Sequence, residues 1–335
     1  MLPAHHPSTG RFGVILNANA GRVTRFLAQR VRWAVGDEHV FLTQSQEHAD
    51  EALRTCLERD YSAVFAGGGD GTIVDTINAL ERHRPEVERL PAVGVLRLGT
   101  GNALAHWLGA GWPVLDLRRF ATGGFHTRQS IRMVWSEGTV FPFGGLGHDA
   151  AILNHYYELK KKMKGTALAS LCSGLSGYLI AGFGKTLPTY LSRDNTQMRV
   201  VNVGAPARRI RPGGDTFGPE LPAGATLYEG PACFVGAATT PLLGYGMKFF
   251  PYATTRPNRL HLRLLNFTPW ECAMRLPAGW RGTLSGEGVF DWYAERVRVT
   301  FEHALPYQMG GDPKGYRTEV NFGLSEHAVT LIGQA

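Results

Sequence analysis

Cysteine is scarce in this chain of 335 residues: there are four, Cys56, Cys172, Cys233 and Cys272, and no two of them form a CxxC pair. That spacing suggests neither a disulfide framework nor a zinc site, and it reads as reduced thiols of a cytosolic protein. The opening stretch MLPAHHPSTGRFG lacks the apolar core of a secretory signal. Neither HxxxH nor HExxH occurs, and both common phosphate loops, GxxxxGK[ST] and GxGxxG, are missing. One uncharged run, GTALASLCSGLSGYLIAGFG at 165–184, has the length to cross a bilayer, but five glycines and three serines dilute it. It reads as a buried or interfacial helix rather than a membrane span.

Hydrophobic residues make up 44% of the chain, enough for a sizeable core, and the length suits two domains or one large one. Lys and Arg number 35 against 28 Asp and Glu, a formal net charge of +7. A basic balance suits a nucleotide, an anionic membrane surface or a nucleic acid. No basic stripe interleaved with aromatics is present, so a nucleic-acid partner is not expected.

Up to about residue 115, short apolar runs alternate with amphipathic ones. Strands are predicted at 12–17 (FGVILN), 39–43, 61–66 and 93–99, with helices at 22–35, 47–59 and 72–84 and a short one from Asn102. Parallel strands need crossovers, so this pattern predicts a parallel sheet covered by helices, with ligands beyond the carboxyl ends of its strands. After about residue 125 the period changes to two, in segments such as 130–135, 198–204, 260–265 and 296–301. The fold class is therefore α/β plus β: an N-terminal parallel-sheet nucleotide-binding domain, 1–124, and a mainly antiparallel, β-sandwich-like domain, 125–315. The active site is expected in the cleft between the two.

The motif that carries chemistry is AGGGDGT at 66–72, directly after an apolar strand. Glycine lets a backbone approach phosphate oxygens, and the following helix offers its N-terminus. LRLGTGN repeats the arrangement after the fourth strand, where Thr100 and Asn102 add side-chain hydrogen bonds and Asn102 is placed to cap the next helix. Asn17 and Gly21 form a third loop on the same edge, and Thr43 ends the second strand there.

The order of these motifs resembles the diacylglycerol kinase catalytic domain family, which includes bacterial lipid kinases and sphingosine kinases and is more distantly similar to the NAD kinases. N-x-x-x-G after the first strand, GGGDGT after the third and GTGN after the fourth carry the resemblance. It continues through GGLGHDA (144–150) and into YQMGGDPKG (307–315), in the place of the family's Asp-Gly-Glu. The resemblance implies a two-domain ATP-dependent kinase whose last strands, about 316–335, return to the first domain. ATP would be held by Asn17, Thr43, Gly67, Gly68, Gly69, Asp70, Gly71, Thr72, Thr100 and Asn102, with Asp75 and Asp149 in support. The family's triplet is Gly310, Gly311 and Asp312 here, so the glutamate that resembles a general base is one methylene shorter. The family's Asp-Asp-Gly turn, associated with a structural magnesium, is Arg256, Pro257 and Asn258.

Asp70 sets a puzzle, since two like charges about 4 Å apart repel by roughly 4 kcal/mol at an effective dielectric of 20. A Mg²⁺ ion bridging carboxylate and phosphate reverses that sign. Asp70 is accordingly expected to organise Mg-ATP and Asp312 to act as base, with the reverse assignment as alternative. His148 is read as a packing or surface histidine. The basic run KKKMK (160–164) before the uncharged stretch reads as an interfacial element, which favours a lipid acceptor and a cytoplasmic protein peripheral at the inner face of the membrane. Trp107, Trp112 and Trp280 are candidate anchors, each read first as core. A diacylglycerol-like or sphingoid lipid is the expected substrate. A soluble acceptor such as NAD, or an inactive nucleotide-binding regulator, is the alternative. Exposed strand edges in the β-rich part admit a homodimer.

Overall fold

The computed structural model describes residues 11–124, 126–166, 168, 172, 174–191 and 195–334. The opening stretch 1–10 and, within the uncharged run, residues 167, 169–171 and 173 lie outside them. The chain divides into two compact units, one formed by Met1–Ile131 with Ala328–Ala335 and one by Arg132–His327.

The first unit alternates strand and helix: β1 (Phe12–Asn17), α1 (Arg25–Val35), β2 (Val40–Thr43), α2 (Gln46–Glu58), β3 (Ala63–Gly68), α3 (Asp70–His83), β4 (Ala92–Arg97), α4 (Ala103–Trp107) and α5 (Pro113–Ala121). Its strands pair in parallel in the order β2-β1-β3-β4, and Leu331 and Ile332 of the last strand add a parallel neighbour to β4. Strand β3 is buried at every position, as a strand covered on both faces must be. On one face Phe12, Phe65 and Phe120 meet edge to face, with ring centroids 4.9–5.5 Å apart. Each buried ring there contributes on the order of 1.5–3 kcal/mol. Because the chain leaves β1 for β2 on one side and resumes at β3 on the other, the strand order reverses between β1 and β3. That is where an open α/β sheet binds ligands.

The second unit holds β5 (His126–Ser136, which enters it from the first), β6 (Thr139–Phe141), β7 (Phe143–Gly147), α6 (His148–Met163), α7 (Gly174–Ala181) and α8 (Leu187–Tyr190). There follow β8 (Thr196–Asn202), β9 (Ala207–Ile210), β10 (Thr216–Leu221), β11 (Thr226–Ala232), β12 (Phe234–Ala238) and β13 (Leu260–Leu265). Helix α9 (Pro269–Arg281), β14 (Val289–Ala294), β15 (Arg296–Met309) and β16 (Asp312–Gln334) complete the chain. The strands here pair antiparallel in the order β10-β9-β14-β13-β12-β7-β15, with β8 and β16 also on β15 and β11 on β8. Mixed α/β architecture, parallel first and antiparallel later, is thus what the change of period predicts.

A buried ion pair ties β13 to β14, where Arg263 stands opposite Asp291. The guanidinium donates from Nε to Asp291 Oδ1 at 2.7 Å and from Nη2 to Oδ2 at 2.8 Å, and His261 Nε2 lies 3.0 Å from the same Oδ1. Arg263 also donates to the carbonyls of Phe249 and Leu284, so one fully buried cation anchors two loops. Burial opposes ionisation of Asp291, but the Arg263 charge and then His261 overcome it and hold the carboxyl well below the usual range. Burial holds His261 below its ordinary value, with Asp291 only partly offsetting it.

Candidate active site

In the first unit, Asn17 and Thr43 sit opposite each other at the carboxyl ends of β1 and β2, and Gly67 and Gly68 end β3. Gly69 is the N-cap of α3, and Asp70, Gly71 and Thr72 form its first turn. Across the strand-order reversal, Asn17 Nδ2 donates to Thr72 Oγ1 at 3.0 Å. The two glycine loops pack backbone to backbone. A Cβ on Gly99 would fall 2.3 Å from Gly69 Cα, and one on Gly68 2.3 Å from Thr72 Oγ1. Such a cradle admits only glycine, and it opens on the N-terminus of α3, where an anion site is expected. The half-buried Asp70 beside it is a hard oxygen donor, chemistry that fits Mg²⁺.

Thr43 is buried, and its hydroxyl donates to the Leu16 carbonyl at 3.4 Å. Thr100 and Asp75 are exposed. Asn102 departs from expectation. It occupies the N-cap position of α4 in left-handed backbone, φ 51°, yet caps nothing. Its Oδ1 accepts from Gly99 N–H at 2.8 Å and its Nδ2 donates to Gly99 C=O at 2.7 Å. Asparagine tolerates that backbone region, and there its amide closes on the loop instead of on the helix. Asn17, Thr43, Thr72, Asp75 and Asn78 line a solvent-open cleft beside α3.

In the second unit, Asp149 stands in the first turn of α6. Its Oδ2 accepts from Gln308 Nε2 at 3.1 Å, and burial pushes its carboxyl up to about 6. Gln308 Oε1 in turn accepts from Gly311 N–H at 2.9 Å. Gly310 and Gly311 have φ of 58° and 88°, and Met309 pairs with Asp312, so the two glycines form a type I′ hairpin turn. This turn delivers Asp312, whose carboxylate accepts a hydrogen bond from the Tyr157 hydroxyl of α6; burial first, and Asp312 second, push that phenol up to about 12. Gln308 and Tyr157 are functional candidates that sequence reasoning missed; Gln308 lies within YQMGGDPKG but is not singled out there, and Tyr157 sits in no recognisable motif.

The second unit also contains an apolar cavity of about 180 Å³, open to solvent, which sequence reasoning did not foresee. Ile152, Leu179, Phe183, Phe249, Leu276 and Trp280 line it, and Asp149 reaches its wall. The uncharged run supplies part of this lining through α7 and a π-helical turn, Gly182–Thr186. Among the described residues no helix is long and apolar enough to cross a membrane. Of the three candidate anchor tryptophans, Trp280 lines the cavity, Trp107 is half-buried and Trp112 is 79% exposed, so core packing does not account for Trp112.

Residues 11–129 match the diacylglycerol kinase catalytic domain. The chain is 43% identical over 284 residues to the probable lipid kinase YegS of Salmonella arizonae, covering 85% of this chain and 79% of that protein. It is 29% identical over 172 residues to diacylglycerol kinase 2 of Arabidopsis thaliana, covering 44% of this chain and 24% of that much longer one. A putative diacylglycerol kinase from Bacillus anthracis shares the fold, with a TM-score of 0.65 at 18% identity over 97% of each chain. The glycine cradle at the strand-order reversal and the kinship with YegS agree, and the chain belongs to the YegS-like lipid kinases, a family built on the diacylglycerol kinase catalytic domain.

Proposed function

We propose that this protein transfers the γ-phosphoryl group of ATP to a hydroxyl of a diacylglycerol-like or sphingoid lipid. The observation that carries the lipid reading is the apolar cavity with Asp149 in its wall. A soluble, charged acceptor such as NAD gains nothing from walls of Leu, Ile, Phe and Trp, whereas an acyl chain gains about 25 cal/mol for each Å² removed from water.

In this reading the first unit holds the nucleotide. Backbone N–H groups of Gly69, Asp70, Gly71 and Thr72 bind phosphate oxygens, and Asp70 holds Mg²⁺. When bound, that ion supplies neutralisation of the phosphate charge, the main requirement of phosphoryl transfer. The second unit holds the acceptor. Asp312 takes the proton of the acceptor hydroxyl, Tyr157 orients its carboxylate, and Gln308 couples the Gly310–Gly311 turn to Asp149. Exposed apolar side chains on the helices that line the cavity, Ile180 and Phe183 with Trp270 and Met274 on α9, together with the lysines ending α6, suit an anionic membrane interface.

Labelled ATP, Mg²⁺ and a panel of lipids in mixed micelles, with NAD as a parallel acceptor, test this reading. Label is expected in a lipid and not in NAD. Label in NAD alone overturns the acceptor assignment. ATP binding without transfer to any acceptor supports an inactive regulator instead.

A further inference from the structure

We propose that His148, Cys233 and Cys272 form a binding site for a borderline-soft divalent cation of the zinc class. The three residues share no local motif. They come from the start of α6, the residue between β11 and β12, and the first turn of α9. The fold brings Cys233 Sγ to 3.8 Å from Cys272 Sγ, and Cys272 Sγ to 3.9 Å from His148 Nδ1. All three ligand atoms lie within 4.8 Å of one another. Tetrahedral zinc, with Zn–S of about 2.3 Å and Zn–N of about 2.0 Å, places two sulfurs about 3.8 Å apart and a sulfur and a nitrogen about 3.5 Å apart. The two sulfurs already stand at that separation. A disulfide needs about 2.05 Å between them, an approach of about 1.7 Å.

The backbone around the ligands is well tied. His148 N–H donates to the Cys233 carbonyl at 3.0 Å, Cys233 N–H to Leu265 at 2.9 Å and Cys272 N–H to Thr268 at 3.0 Å. A capping box between Thr268 and Glu271 fixes the turn of α9 that carries Cys272. Gly147, at φ 104°, lets His148 approach: a Cβ there would fall 2.1 Å from the Cys233 carbonyl oxygen.

Two thiolates and an imidazole select zinc-like ions over Mg²⁺, which takes hard oxygen ligands. This site is therefore chemically distinct from any ion that accompanies ATP. Binding to the neutral ligands releases the two thiol protons to solvent. Three protein ligands leave a fourth position, and because all three residues line the apolar cavity, that position opens on it. The ion would clamp α6, α9 and the β11–β12 junction together around the cavity.

The test needs no turnover. The full-length protein, reduced and stripped with a chelator, is titrated with Co²⁺. One ion per chain is expected, with thiolate-to-cobalt charge-transfer absorption and the intense visible bands of a tetrahedral site, displaced stoichiometrically by Zn²⁺. Cys272→Ser and His148→Gln should each weaken Co²⁺ binding at least tenfold and change the bands, while Cys56→Ala, in the other unit, leaves them intact. Two variants guard against one failing to fold. Absence of thiolate-to-cobalt absorption in the reduced wild type overturns the proposal. So does a spectrum unaltered in Cys272→Ser, or a Cys233–Cys272 disulfide in place of two free thiols in protein isolated with zinc present.

Discussion

Asp70 and Asp312 are each a single carboxylate, and their settings differ. Asp70 opens a helix beside a glycine cradle, whereas Asp312 follows a hairpin turn and is hydrogen-bonded by Tyr157. Positioned proton transfer is worth roughly 10²- to 10⁴-fold. Asp312→Asn should therefore lower turnover at least about 100-fold with ATP affinity unchanged, as read by initial rates and by nucleotide titration. Full turnover in this variant sinks the base assignment. Asp70→Asn should instead weaken Mg-ATP binding. The cradle makes a second prediction. Gly99→Ala forces a methyl group to 2.3 Å from Gly69 Cα, so the two loops must part. A loss of at least tenfold in ATP affinity, about 1.4 kcal/mol, is expected. Gly184→Ala, in the other unit, meets nothing within 4 Å and serves as the control. Equal ATP affinities in the two variants would contradict the cradle.

Among elements, the turn before Asp312 constrains its two central residues, Gly310 and Gly311. A type I′ turn requires positive φ at both central residues, and most L-residues pay about 1–2 kcal/mol for that backbone. Gly310→Asp, which restores the family residue at φ 58°, should fold with a melting temperature close to wild type because Asp visits that region. Gly311→Val at φ 88° should lower it by several degrees. Thermal melts of both variants check this, and equal melting temperatures would refute the turn assignment. How much was legible in the sequence follows the same division. Strand β1 is read to the residue and α2 to within one, because each is decided by its own periodicity and a glycine or polar boundary. Asn102 is misread as a cap because a cap depends on backbone φ, which residue type alone does not decide. Gln308, Tyr157 and the His148–Cys233–Cys272 cluster escape notice because strand pairings and helix packing assemble them from distant positions.

The molecule as a whole should be acid-sensitive through one buried cluster. His261 and Asp291 both have folded-state values below their ordinary ones, so each contributes its full stability above the unfolded value and loses it as pH falls. Stability should decline first below about 6.5, as His261 is forced to charge, and again below about 3.9, as Asp291 neutralises. Asp149, whose carboxyl burial raises to about 6, acts with the opposite sign there, so melting temperatures of Asp149→Asn from pH 8 to about pH 2 read this out, and a flat profile of that variant between pH 7.5 and 5 contradicts it. Asp291→Asn leaves Arg263 buried without its counter-ion and should cost about 3–5 kcal/mol by denaturant titration. The same arginine holds the carbonyls of Phe249 and Leu284, two residues of the cavity wall, so the cluster also supports the cavity. The proposed lipid acceptor would sit in this apolar cavity of the second unit. The most direct measurement is the steady-state kinetics of phosphoryl transfer to a short-chain diacylglycerol in mixed micelles, for wild type and for Ala273→Phe, which fills the cavity from α9. Wild type should transfer phosphate to the lipid, and the variant should show a rise of at least tenfold in the KM for lipid with the KM for ATP unchanged. Transfer whose lipid KM is indifferent to filling the cavity would contradict that placement of the lipid.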